Sequence, residues 1–217
     1  MAEAPLAPAQ TPRTRTTGTR NLILAAAEDE FATRGFSATR LEDVAAQVGI
    51  RRASIVYYFR DKQELYDAVF ASAVGGLYAE VAPILEGSGA LGPRIEAAVA
   101  AWVDYVTVRP ALPLLLLREF ADAARGHETL RRHTEPFFEL AGRLVREGRG
   151  DPFFSDALPA AQIASAVAGT SVFFQVALPV FAPDSSAPAS DAARLEHREQ
   201  LLALVRRLLG RAPLEAV

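Results

Sequence analysis

The chain has 217 residues, half of them apolar, a formal net charge of −3 and no cysteine. That length suits one large domain or a small domain joined to a larger one. The apolar content excludes a disordered polyelectrolyte, and the lack of thiols excludes disulfides, thiolate zinc sites and iron–sulfur clusters.

Charge is uneven along the chain. Residues 1–62 carry nine Arg/Lys against seven Asp/Glu, whereas residues 63–217 carry fourteen against nineteen. Only the N-terminal end is therefore suited to a polyanion. The first twenty residues hold no basic segment followed by an apolar run, so no secretory leader is expected. The lack of cysteine fits a reducing cytosol, and a cytoplasmic location is expected.

In chain order, residues 1–16 are rich in Pro, Ala and Thr and read as a flexible tail. From Thr19 to Arg34, Ile23, Ala26, Ala27 and Phe31 share one helical face, and Gly35 ends the run. Thr39-Arg40-Leu41-Glu42 reads as a capping box, with the Thr39 hydroxyl accepting from the Glu42 N–H. It opens a short helix through Val44, Ala45 and Val48, after which Gly49 supplies a tight turn and Ile50 packs inward. A third helix is predicted from about Arg52 to Tyr58, and a fourth, capped by Asp61, buries Leu65, Ala68, Val69, Ser72 and Ala73. Further helices are predicted over Pro93–Val108, Ala111–Ala124, His127–Glu147, Leu158–Leu178 and Asp191–Leu209. No alternating stretch is long enough for a sheet, and no repeat has a fixed period. The expected fold is all-α, with about nine helices.

Several motifs fail on inspection. Gly87–Gly92 has the spacing of a dinucleotide-binding glycine fingerprint but follows a helix instead of a strand, so it reads as an interhelical loop. His127 and His133 are six apart and lie on different faces of a helix, so they cannot grip one ion without other ligands. No nucleophile elbow or phosphate loop is present, so neither an enzyme nor a cofactor or metal site is expected. The uncharged run Ile163–Phe181 is long enough to cross a bilayer. Its polar interruptions and acidic flanks favour a helix buried on nearly all sides of a core, so no membrane partner is expected.

The segment Thr39–Leu65 carries chemistry. Two short helices joined at Gly49, with small Ala45 allowing close approach, are what a helix-turn-helix requires. The second helix presents Arg51, Arg52, Ser54, Tyr57 and Tyr58 outward, as donors to phosphates or base edges. A single such motif reads only a few base pairs, so a dimer spanning two half-sites is expected.

Residues 19–77 resemble the DNA-binding domain of the TetR/AcrR family of transcriptional regulators. The likeness rests on Ile23, Ala26, Phe31, Gly35-Phe36, Thr39, Val44-Ala45 and Val48-Gly49-Ile50. It continues through Tyr57-Tyr58-Phe59, Asp61-Lys62 and Leu65. The resemblance implies that Arg40, Arg51, Tyr57, Tyr58 and Lys62 bind phosphates, while Arg52, Ala53 and Ser54 face base edges. The tail arginines Arg13, Arg15 and Arg20 are candidates for a minor-groove arm. Two positions depart from the family pattern: Arg51 replaces the usual Ser or Thr cap, and Val56 replaces a Tyr that commonly meets the DNA backbone.

The same resemblance implies a tail over 1–16, a helix-turn-helix domain over 17–77 with its motif at about 40–59, and an effector-binding and dimerisation domain over 78–217. The partners implied are a double-stranded operator with an inverted repeat, a small, largely apolar effector, and a second copy of the chain held through the last two long helices. On the last helix, Leu195, Leu202, Val205 and Leu209 form one stripe with Leu201, Leu204 and Leu208 beside it. Trp102, Tyr105, Phe120, Phe137, Phe138, Phe173 and Phe174 are the expected pocket walls. Arg118, Glu119, Asp122, His133 and Gln175 are the expected polar contacts. The function implied is a repressor released from its operator by that molecule. The alternative, from another class, is a helical small-molecule-binding protein or enzyme with a vestigial DNA-binding head.

Overall fold

The computed structural model describes residues 12–122, 128–148, 160–181 and 190–209. Among these there are nine helices and no strand. They are α1 (Pro12–Ala38), α2 (Leu41–Val48), α3 (Arg52–Tyr58), α4 (Lys62–Leu85), α5 (Leu91–Thr107), α6 (Ala111–Ala121), α7 (Glu128–Glu147), α8 (Ala160–Val172) and α9 (Asp191–Leu209). Helix α8 runs on through a π-helical segment, Phe173–Ala177, into a last turn, Leu178–Phe181. Contacts divide the chain into two compact units, Met1–Val69 and Phe70–Val217, with the division inside α4.

In the first unit the apolar face read from the sequence is the core. Ile23, Ala27, Phe31, Val44, Ile55 and Leu65 are fully buried, and each large side chain so buried contributes about 1.5–3 kcal/mol. Phe31 and Phe36 both meet Tyr66 edge-on, at 4.8 and 5.0 Å between ring centroids. Helix α1 breaks at Gly35 (φ 79°). It also begins earlier than expected: residues 12–16, assigned to the tail, are helical, whereas residues 1–11 lie outside the described residues.

The cap of α2 corrects the sequence reading. Arg40, not Thr39, is the N-cap, and it makes no side-chain capping bond. Thr39 is buried and turns its hydroxyl back to α1, donating to the Gly35 carbonyl at 2.8 Å with that of Glu30 at 3.2 Å. The reciprocal cap lies at α4 instead, where Glu64 N–H donates to Asp61 Oδ1 (2.8 Å) and the Glu64 carboxylate accepts from Arg60 N–H (2.8 Å).

In the second unit, Ile95, Val99 and Val103 of α5 pack with Leu140 and Leu144 of α7, Val167 of α8, and Leu201 and Val205 of α9. Helices α5 and α6 meet at 90°. Helix α9 splits the stripe read from the sequence: Leu201 and Val205 are core, while Leu195 is exposed. The expectation that the uncharged helix is buried on nearly all sides is corrected, because only 11 % of its most apolar window is buried and Phe173, Val180 and Phe181 are exposed. By length and composition, two helices, Lys62–Leu85 and Gln162–Phe181, are long and apolar enough to cross a membrane.

Candidate functional site: a nucleic-acid interface and an apolar cavity

The turn between α2 and α3 is built by backbone chemistry. Gly49 sits in the left-handed region (φ 75°, ψ 31°), its N–H donates to Ala46 O (3.1 Å), and Ile50 N–H reaches Ala45 O (2.9 Å). That paired pattern is a Schellman motif, and a side chain at Gly49 would strain it. Ala45 is buried beneath the turn, with Val48 and Ile50 half-buried.

Helix α3 anchors itself through Ile55 and, just past its end, Phe59, both buried. Its other face is free of core contacts. Arg51, Arg52 and Ala53 are exposed, Ser54 and Tyr58 half-buried, and Tyr57 is 80 % exposed. Tyr57 and Tyr58 meet edge-on at 5.2 Å. As the departure at Arg51 implies, α3 has no side-chain cap at its start. Arg40 is exposed at the start of α2.

Two details were not legible in the motif. Arg52 Nε pairs with Glu42 Oε1 of α2 at 3.0 Å. Lys62 does not stand among the outward donors: its ammonium donates to the carbonyls of Phe36 (2.8 Å), Thr39 (3.0 Å) and Ser37 (3.3 Å). It also lies 4.5 Å from the Phe36 ring centroid. An ammonium has three protons, and here three backbone acceptors surround it, so Lys62 caps the end of α1. Arg20 lies over the Phe59 ring at 5.1 Å, while the side chains of Arg13 and Arg15 lie outside the described residues.

The second unit holds an apolar cavity of about 320 Å³. Of the expected walls, Trp102, Phe120, Phe137 and Phe138 line it. Sequence reading missed Val74, Leu77 and Val81 of α4 and Ala164 and Ala168 of α8, which look like ordinary core residues until α4, α7 and α8 are brought together.

The other expected ligand residues do not line the cavity. Tyr105 is turned toward α4, where its hydroxyl donates to the Ala73 carbonyl at 2.9 Å. Phe174 stacks on His197 at 3.9 Å. Gln175 lies with it in the π-helical segment, beyond the last α8 lining residue. Arg118 is exposed, because the cavity face of α6 is Leu112, Leu116 and Phe120, and two residues from Leu116 is the opposite face. Phe173, Glu119, Asp122 and His133 are also absent from the lining; Phe173 is exposed and Glu119 is buried.

His197 is 6 % exposed, its Nε2 has no hydrogen-bond partner among the described residues, and burial holds its pKa below the usual imidazole value. Among the described residues no group of three or more His, Asp or Glu side chains is placed to hold a metal ion.

An exposed, donor-bearing helix set by a glycine turn, in a chain with a separate helical unit around an apolar cavity, defines the class of helix-turn-helix proteins. Residues 23–69 match the family model for bacterial regulatory proteins of the tetR family. Over 50 residues the chain is 44 % identical to the HTH-type transcriptional regulator RutR of Escherichia coli (strain K12), covering 23 % of this chain and 24 % of RutR. It is 31 % identical over 87 residues to the HTH-type transcriptional activator FasR of Mycolicibacterium smegmatis, covering 40 % of each. The chain thus matches only about a quarter to two fifths of the length of these relatives. In fold the likeness extends further. The structure of the ketosteroid transcriptional regulator KstR2 of Mycobacterium tuberculosis aligns with a TM-score of 0.69 at 18 % identity, covering 89 % of this chain and 95 % of that one.

Proposed function

We propose that this protein is a dimeric DNA-binding transcriptional regulator whose hold on its operator responds to an apolar small molecule. The observation that carries the reading is the outward face of α3, with Arg51, Arg52, Ala53, Ser54, Tyr57 and Tyr58 beside Arg40 and behind a Gly49 turn. Arginines and tyrosines at a helix-turn-helix position the protein on phosphates, and an arginine such as Arg52 reads guanine by a bidentate contact. The apolar cavity supplies the effector site, through Trp102, Phe120, Phe137 and Phe138.

The partner in the dimer is a second copy of the chain. The exposed Phe173, Val180, Phe181 and Leu195 on the last two long helices give it an apolar face, and two reading heads supply the length of site that one cannot. A ligand shifts DNA affinity only by binding one conformation of the dimer better than the other. We assign the protein as a repressor acting in the cytoplasm, released when the effector binds, and assign it no catalytic role.

Selection of bound duplexes from a random-sequence pool by the full chain tests the reading. An enriched inverted repeat, bound by two copies, is the expected result. A pool that stays random, or a site bound by one copy without symmetry, contradicts it.

A further inference from the structure

We propose that Arg20 is a fixed contact to the DNA phosphates, held by the Phe59 ring at the end of α3 that carries Tyr57 and Tyr58. This rests on the DNA-binding reading above and adds to it a contact from α1.

The cations of the first unit fall into two sets. Among its described side chains, Arg34 pairs with Glu30 and Asp43, Arg52 with Glu42 and Arg60 with Glu64, all between 2.9 and 3.2 Å. Lys62 is surrounded by three carbonyls. The remaining three, Arg20, Arg40 and Arg51, are exposed, and their side chains make no hydrogen bond or ion pair among the described residues. A guanidinium in that state keeps its donors and its whole charge for an outside anion.

Anchoring sets Arg20 apart from an ordinary solvated side chain. Its guanidinium carbon lies over the Phe59 ring, 5.1 Å from the centroid. Phe59 is 2 % exposed and follows the last turn of α3 directly. Attraction to the ring localises the cation without supplying an acceptor oxygen, and a side chain already restrained loses less freedom on meeting a phosphate. The contact also places Arg20 at the end of α3 where Tyr57 and Tyr58 meet edge-on. Arg51 marks the other end, about 12 Å away along the helix. Donors to phosphate thus flank Arg52, Ala53 and Ser54 on both sides, which is what fixes a reading helix in register.

The backbone excludes the arm expected of Arg20. It lies inside α1, and a helix about 10 Å across with its side chains does not enter a minor groove about 6 Å wide. An extended arm would thread that groove; Arg20, on a helix and pinned to a core ring, meets the phosphate wall.

The test uses the full chain and the inverted-repeat duplex from the pool selection, with log affinity followed against log salt. Arg20→Ala removes one phosphate contact per reading head, so the slope should become shallower by about 1.8. Its affinity should fall by the same factor on selected and on random duplexes, and Arg20→Lys, which keeps the charge, should retain the slope. A neutral methylphosphonate placed at each linkage of a half-site in turn should cost the wild type affinity at one linkage to which Arg20→Ala is indifferent. Phe59→Leu should weaken binding in the wild-type chain and not in the Arg20→Ala background; an equal loss in both would remove the positioning role of the ring. Should Phe59→Leu fail to fold, the Arg20 variants still decide.

An unchanged slope in Arg20→Ala overturns the inference. So does a loss confined to duplexes with A·T pairs beside the half-site, the mark of a minor-groove contact. Either result leaves the regulator reading standing as long as the wild type binds its repeat. A wild type that binds no duplex overturns both.

Discussion

Arg52 and Glu42 face each other across the turn of the helix-turn-helix, Nε to Oε1 at 3.0 Å, with both side chains 60 % exposed. The side chain best suited to read a guanine is thus held, in the free protein, by a carboxylate one helix away. An exposed pair of this kind is worth about 0.2–1 kcal/mol, small enough for DNA to displace.

The pair makes Glu42 a brake on binding. Glu42→Ala should tighten binding to all duplexes, by removing both the competitor for Arg52 and a negative charge near the phosphates. Arg52→Ala should instead flatten discrimination at one base pair of each half-site, a loss of about 1–3 kcal/mol. Fluorescence anisotropy on a duplex panel checks both; an unchanged preference in Arg52→Ala would remove Arg52 from the base-reading set.

Lys62 is expected to act on stability, not on the phosphate contacts. Its ammonium serves three carbonyls at the end of α1, and hydrogen bonds to a charged group contribute about 1.5–3 kcal/mol each, not additively. Lys62→Met should lower the denaturant midpoint while leaving the salt dependence of DNA binding unchanged. A salt slope reduced by about one in the variant would restore the phosphate role.

Gly76 and Tyr105 are coupled by space. A Cβ on Gly76 would overlap the Tyr105 hydroxyl oxygen, the atom that donates to Ala73 O. Gly76→Ala should therefore destabilise the wild-type chain by about 1–3 kcal/mol through the displaced hydrogen bond. In a Tyr105→Phe background the hydroxyl is gone and the nearest ring carbon stands at 3.4 Å, so the same change should cost less or stabilise, by up to about 1 kcal/mol of helix propensity. A thermal-unfolding double-mutant cycle shows this relief or its absence.

His197 gives stability a defined pH dependence. Burial lowers its pKa in the folded chain, so as pH falls through about 6.5 the unfolded chain takes up the proton first. More protons on the unfolded state mean stability that is complete above that pH and declines below it. Urea titrations between about pH 7.5 and 5.5 should show a shallower decline in His197→Phe, which keeps a ring against Phe174; identical slopes would contradict it.

Local signals made the first unit readable. Phe31, Val44, Ile55 and Leu65 are spaced for one buried face, Gly49 announces its turn, and their burial follows. The cap at Thr39 misled because Ser/Thr-x-x-Glu describes a local option only: the long-range pull of the α1 carbonyls on Thr39 and of Arg52 on Glu42 has no local trace. At Asp61-Lys62-Gln63-Glu64 the same pattern stood in the text and did form.

The cavity was harder to read for a different reason. An aromatic on a helix faces a pocket, its own core or solvent according to how neighbouring helices rotate. Phe137 and Phe174 look alike in the sequence, yet one lines the cavity and the other stacks on His197. The small and branched residues that form most of the wall carry no distinguishing mark at all.

The most direct test of the account is the salt dependence of binding by the full chain to an inverted-repeat duplex obtained from the pool selection. Arg40 and Arg51 on each of two reading heads neutralise four phosphates, so log affinity should fall with log salt at a slope of about −3.6 or steeper. A slope near zero, or one unaltered when Arg40 and Arg51 are both changed to Ala, would contradict it.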